Sequence, residues 1–120
     1  MEKDAYARGV LGEVRAEQYL AQQGYAIIKR NYRVPGAEID LIAVKGQLIV
    51  FVEVKTRKGG AALGRLAVSA AKQRRVSVGA LRYMAQNGWL DRQARFDVIE
   101  IQGDQITHIP NAFPYQGPMF

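Results

Sequence analysis

One stretch constrains the fold more than any other: Glu38 to Arg57, EIDLIAVKGQLIVFVEVKTR. It is rich in β-branched residues and free of proline, so it predicts a β-hairpin. One arm runs from Glu38 to Lys45, the turn centres on Gly46, and the other arm runs from Gln47 to Arg57. The second arm carries an uninterrupted apolar row, Leu48, Val50, Val52 and Val54. Its other row is Ile49, Phe51, Glu53 and Lys55. On the first arm Glu38 and Asp40 are two residues apart, so strand periodicity puts them on one face. Charges within a strand this apolar have to be compensated, because an unpaired ion out of water costs several kcal/mol.

Asp40, followed after twelve residues by Glu53-Val54-Lys55, has the form D…ExK of a metal-nuclease signature. One Asp and one Glu offer hard oxygen ligands of the kind that magnesium or manganese takes. The carbonyl between Glu and Lys can add another ligand, and the lysine can act on an attacking water. The plainer alternative is cross-strand salt bridging on a solvated face, for example Glu53 with Lys45.

The charge distribution extends this reading. Seventeen Lys and Arg against eleven Asp and Glu give a net charge of +6. No acid lies between Val54 and Leu90, an interval holding Lys55, Arg57, Lys58, Arg65, Lys72, Arg74, Arg75 and Arg82. A basic block beside an acidic cluster points to a polyanion, held by one and cut at the other. The alternative is a generally basic surface. The 120 residues fit one domain, 1–120, with enough chain for a core. The absence of cysteine excludes disulfides, thiolate zinc sites and Cys nucleophiles. No apolar run spans a membrane and the N-terminus lacks a signal-peptide layout, so the expected location is cytoplasmic.

A helix is expected over residues 4–23, ended by Gly24, with Tyr6, Val10, Val14, Leu20 and Ala21 as its apolar stripe. Glu13 and Glu17 fall inside that stripe and could reach the acidic face of the hairpin; pairing with arginines is the alternative. Residues 25–33 predict a basic strand, and Val34 to Ala37 a turn. The glycine-rich segment KGGAALG after Arg57 reads as a loop able to close over substrate, or as a simple connection. A second helix is expected over 66–87, with Ala71, Val78, Leu81 and Ala85 facing the core. Lys72, Arg75 and Arg82 then form a basic ridge, with Gly79 as a gap that admits a phosphate. Trp89 and Leu90 read as a plug. Strands are expected over 95–102 and 105–109. On this reading Asp97 and Glu100 are ordinary sheet residues, and His108 is a surface or packing residue. The apolar tail packs back or meets a partner.

With these residues in this order, the chain resembles the bacterial YraN family of predicted endonucleases. That family is similar to the archaeal Holliday-junction resolvases. The resemblance covers nearly the whole chain. It rests on Gly12-Glu13, Gly24-Tyr25, Arg30-Asn31-Tyr32-Arg33, Glu38-Ile39-Asp40, Phe51-Val52-Glu53-Val54-Lys55, Lys72-Gln73-Arg74-Arg75, Arg95-Phe96-Asp97-Val98 and Asn111-Ala112-Phe113. Ala37 stands where the family has Gly. The resemblance implies a restriction-endonuclease-like α/β fold, with a mixed central sheet flanked by helices. It implies an active site of Glu13, Asp40, Glu53 and Lys55, with Glu13 completing a magnesium or manganese site beside Asp40 and Glu53. By analogy with resolvases it also implies a homodimer acting on DNA, branched DNA included. Arg57, Lys58, Lys72, Arg75 and Arg82 are the expected nucleic-acid contacts. The rival readings are a nuclease-like module that binds nucleic acid without cutting it, and a protein-interaction domain built on the apolar tail.

Overall fold

The computed structural model describes residues 2–57 and 68–118, with side chains described from Leu11 onward. The elements run α1 (Glu2–Gln22), β1 (Ala26–Val34), β2 (Ala37–Lys45), β3 (Leu48–Arg57), α2 (Ala70–Gln86), β4 (Ala94–Gln102) and β5 (Gln105–Ile109). The strands form one mixed sheet in the order β1-β2-β3-β4-β5. Among the described residues only β3 and β4 pair in parallel, and α2 lies in the connection between them, as a parallel pair requires. This α/β architecture is the one the resemblance implies. Lys58 and the KGGAALG segment lie outside the described residues.

The two faces of the sheet bury different helices. Ile49, Phe51, Phe96 and Val98 pack with Val76, Ala80 and Met84 of α2. Val50, Val52, Ile99 and Ile101 pack with Ala16 and Leu20 of α1. Strands covered on both sides read as continuous apolar runs, which is why the hairpin is so uniformly β-prone. The tail packs back: Ala112 and Phe113 are buried, Phe113 stacks on Phe96 at 5.1 Å, and Gln116 donates its backbone N–H to Ser77 Oγ.

Both helices are turned from the expected phase. On α1 the buried positions are Gly12, Ala16 and Leu20, while Val14 and Ala21 are exposed. Gly12 sits against Thr56, so the helix approaches β3 where no side chain intervenes. On α2 the buried positions are Val76, Ser77, Gly79, Ala80 and Met84, while Ala71 and Ala85 face solvent. Gly79 is therefore not a phosphate gap. A Cβ there would lie 3.2 Å from both the Ala37 Cβ and the Ile39 Cδ1, so its bareness lets α2 meet β2 closely. Trp89 packs edge-on to Tyr83, but Leu90 is exposed.

One irregularity shapes the site. Along β2, Ile39 packs on the α2 side, Leu41 on the α1 side and Ile42 on the α2 side again. Strict alternation would keep Ile39 and Leu41 together, so Asp40 is the residue at which the pleat slips. Its neighbour strand slips with it. Arg30 pairs with Leu41 and Tyr32 with Ile39, which puts Asn31 opposite Asp40, and Asn31 has a positive φ of 49°. Asn is one of the few residues that takes this conformation readily. The β2–β3 ladder is regular only from Lys45↔Leu48 to Leu41↔Val52, and stops where Asp40 would face Glu53.

Candidate metal and nuclease site

The interrupted ladder is filled by side chains. Asp40 Oδ2 accepts the backbone N–H of Val54 at 2.8 Å. In the other direction, the backbone N–H of Asp40 points to Glu53 Oε2 at a long 3.4 Å. Each carboxylate thus takes up a backbone amide of the opposite strand. The two acids, thirteen residues apart in sequence, are held opposite one another on neighbouring strands. Glu53 is 1% exposed. Its Oε1 is buried without a hydrogen-bond donor, and the nearest cation, Lys72 Nζ, stands 3.4 Å away. Lys45 is engaged elsewhere, donating to the carbonyl of Gln23, so a solvated Glu53–Lys45 bridge does not form.

Electrostatics follow from this crowding. Burial, and then the neighbouring Asp40 charge, raise the pKa of Glu53 to about 7. Burial also raises Asp40, against the Val54 amide and the charges of Lys72 and Lys55 that favour its anion. Two carboxylates this close and this dry resist double ionisation. Lys55, two residues beyond Glu53 on the same face, lowers both pKa values through space without neutralising either acid. A divalent cation suits these donors: hard oxygens, one of them unsatisfied, in a place where negative charge is under-compensated.

Glu13 reaches the rim of this cluster from α1. Its pKa is raised by burial and by the Asp40 charge, and a hydrogen bond to the Asn31 side chain works the other way. The slipped residue of β1 thus links the helix glutamate to the slipped residue of β2. Among the described residues no three acidic or histidine side chains are gathered closely enough to form a ready metal cage. A magnesium ion, which keeps several waters, does not require one. Glu17 is apart from the cluster, in an ion pair with Arg30 at 2.8 Å.

The expected phosphate-holding residues are placed unequally. Arg75 and Arg82 are exposed on α2. Arg57 is tied to the buried Glu100, Nε to Oε2 at 2.8 Å. Lys72 turns inward, only 13% exposed, with its Nζ 2.6 Å from Glu38 Oε1. Charge attraction outweighs burial and raises the Lys72 pKa, while Glu38 is held below the ordinary carboxylate range by that ammonium. Glu38 also has Arg33 Nε at 3.8 Å.

A second polar cluster lies on the opposite face, where only ordinary sheet residues and a packing histidine were expected. Asp97, 0% exposed, receives Arg95 through Nε to Oδ1 at 2.8 Å, His108 Nε2 at 2.7 Å and the Asn111 backbone N–H at 2.9 Å. Arg95 also donates to Tyr25 Oη at 2.8 Å, and His108 Nδ1 is 3.0 Å from Tyr19 Oη. The signal available in the sequence was Arg95-Phe96-Asp97, which sets opposite charges on one face of a strand.

The sequence matches the uncharacterised protein family UPF0102 over residues 12–101. It is 50% identical to a UPF0102 protein of Geobacter metallireducens over 110 residues, 88% of this chain and 90% of that protein. A UPF0102 protein of Geobacter sulfurreducens is 47% identical over 111 residues, covering 88% and 87% of the two chains. One from Trichlorobacter lovleyi is 47% identical over 118 residues, covering 92% and 93%.

Proposed function

Since this chain belongs to the UPF0102 family, the YraN-like group of predicted endonucleases, we propose that it is a metal-dependent endonuclease that hydrolyses phosphodiester bonds in DNA. The observation that carries the reading is the buried, donor-less Oε1 of Glu53 opposite Asp40. Pure binding of a polyanion gives no reason to bury under-compensated carboxylates. Phosphodiester hydrolysis does, because it needs a cation beside the scissile phosphate.

In this reading Asp40 and Glu53 hold magnesium or manganese. When bound, the ion lowers the pKa of the attacking water and offsets charge on the phosphoryl group. Lys55 orients that water and takes part in moving its proton, since strand periodicity puts it on the Glu53 face of β3. Glu13, positioned through Asn31, orients or ligates from the helix side. Arg75 and Arg82 hold backbone phosphates along α2. Branched DNA as substrate and a homodimer as the working unit follow only from the likeness to resolvases. No helix among the described residues is long and apolar enough to cross a membrane.

Cleavage of linear and four-way-branched DNA with Mg2+, Mn2+ or EDTA tests this, using the natural chain, Asp40→Ala and Lys55→Ala. The proposal expects metal-dependent cutting by the natural chain alone. Equal cutting by all three proteins removes these residues from the chemistry. Equal DNA binding with no cutting by any of them replaces the nuclease with a binding module.

A further inference from the structure

Lys72 is expected on a phosphate-holding basic ridge, yet it is partly buried between two acids of unequal surroundings. Its Nζ is 2.6 Å from Glu38 Oε1 and 3.4 Å from Glu53 Oε1. Glu53 is 1% exposed, and the same oxygen has no hydrogen-bond donor. Glu38 is 45% exposed at its side chain and open to water. The ammonium thus stands beside the oxygen that would ligate a cation, without being bonded to it. Its firm anchor lies to one side. A doubly charged ion on Glu53 and an ammonium a few ångströms off repel strongly in so dry a place.

We infer that Lys72 is an internal counter-ion for Glu53 that a divalent cation displaces, and that Glu38 is the acceptor that keeps the displaced ammonium. The inference rests on the metal site proposed above and gives a role to Glu38. Without the ion, Lys72 supplies the partial compensation that lets Glu53 stay buried. With the ion, it moves away from Glu53 along its flexible stem toward the solvent edge, still held by Glu38. There it adds to the positive surface offered by Arg75. Metal binding and phosphate binding are then coupled through one side chain.

The two residues should act on metal affinity in opposite directions. Lys72→Met removes the competitor and tightens Mn2+ binding about tenfold. Glu38→Gln removes the acceptor, leaves Lys72 on Glu53, and weakens Mn2+ binding several-fold. In a Lys72→Met background Glu38→Gln becomes silent, which a simple loss of nearby negative charge would not produce. Calorimetric titration of the four full-length proteins with Mn2+ alone gives these affinities. Thermal melts confirm that each variant is folded. The natural chain provides a check free of mutation: saturating Mg2+ should raise the labelling of Lys72 by an amine-reactive reagent several-fold, read by mass spectrometry.

Tighter binding in Lys72→Met with a silent Glu38→Gln supports the inference. Unchanged or weaker binding in Lys72→Met overturns it while leaving the metal site in place, as does Lys72 labelling that Mg2+ does not alter. Absence of Mn2+ binding in the natural chain overturns the metal site, and the inference with it.

Discussion

The sheet buries two carboxylate clusters on opposite faces, and they are built by contrary rules. Around Asp97 every charge has a partner. Arg95, His108 and the Asn111 amide converge on it, and two tyrosine hydroxyls complete the outer ring. Burial works to raise the Asp97 pKa, but His108 and Arg95 overcome it and hold the carboxyl below its ordinary range. Around Glu53 and Asp40 the partners run short. One oxygen has no donor, one amide contact is long, and both pKa values are pushed up. A satisfied buried carboxylate fastens the fold; here Asp97 ties β4 to β5, to the Asn111 turn and to α1. An unsatisfied one lowers stability and is retained where something else is meant to complete it.

That contrast can be broken at several points. The largest effect is expected in catalysis. Asp40→Asn and Glu53→Gln should each lower metal-dependent DNA cleavage by about a thousandfold or more, with the fold intact by circular dichroism. Asp97→Asn should leave Mn2+ affinity unchanged in the protein that folds.

Next comes stability, where the two clusters should respond with opposite signs. Asp97→Ala leaves Arg95 and His108 facing an empty buried position, and should cost about 3–5 kcal/mol in urea unfolding. Glu53→Gln removes an under-compensated charge. It should stabilise the metal-free protein at pH 8 by about 1–3 kcal/mol.

The pH dependence sharpens the same difference. Glu53 titrates near 4.5 when unfolded and at about 7 when folded, so the folded state binds the proton more tightly. Its contribution therefore declines as pH rises from about 4.5 to about 7, by on the order of 3 kcal/mol. Asp40 and Glu13 shift in the same direction. Asp97 shifts the other way, and its contribution is lost only as pH falls below the ordinary aspartate range. Urea midpoints of the metal-free protein at pH 5 and pH 8 should show the decline, and Glu53→Gln should flatten it. Saturating Mn2+ should also remove it, adding about 2.7 kcal/mol at a hundred times its dissociation constant.

A smaller effect is expected at the helix that carries Lys72. Gly79→Ala pushes a methyl toward Ala37 and Ile39, and should cost about 1–3 kcal/mol. By moving α2 away from β2 it should also weaken the Lys72–Glu38 contact, read as faster labelling of Lys72 without metal. The exposed Glu17–Arg30 pair provides the floor: Arg30→Ala should change stability by less than about 1 kcal/mol.

The hairpin, its turn and the adjacency of Asp40 and Glu53 were legible in the sequence because β-branched runs and two-residue periodicity are local signals. Both faces of β4 followed from the same kind of signal, while the mixed sheet came only from the family resemblance. The helix faces were misjudged because glycine and alanine do the packing. Gly12, Ala16, Gly79 and Ala80 are small where the backbones come close, so Val14, Ala71 and Ala85 point elsewhere, while Leu20 is buried as expected. The slip at Asn31 and Asp40 could not be reached by counting in twos, since it exists to break that count. An asparagine opposite the key acid was its only local sign. The inward turn of Lys72 is a contact across 34 residues, and the joining of Asp97 to His108 depends on how β5 registers with β4. Neither is written in composition or spacing.

The account stands on the gap between Asp40 and Glu53 being a cation site. A crystal of the natural chain soaked in Mn2+, with data collected to locate the ion by anomalous scattering, tests that directly. A peak within coordination distance of both Glu53 Oε1 and the Asp40 carboxylate, with Lys72 moved away from Glu53 and still held by Glu38, is the predicted result. A saturated soak in which manganese binds elsewhere, and Lys72 stays between Glu38 and Glu53, would contradict it.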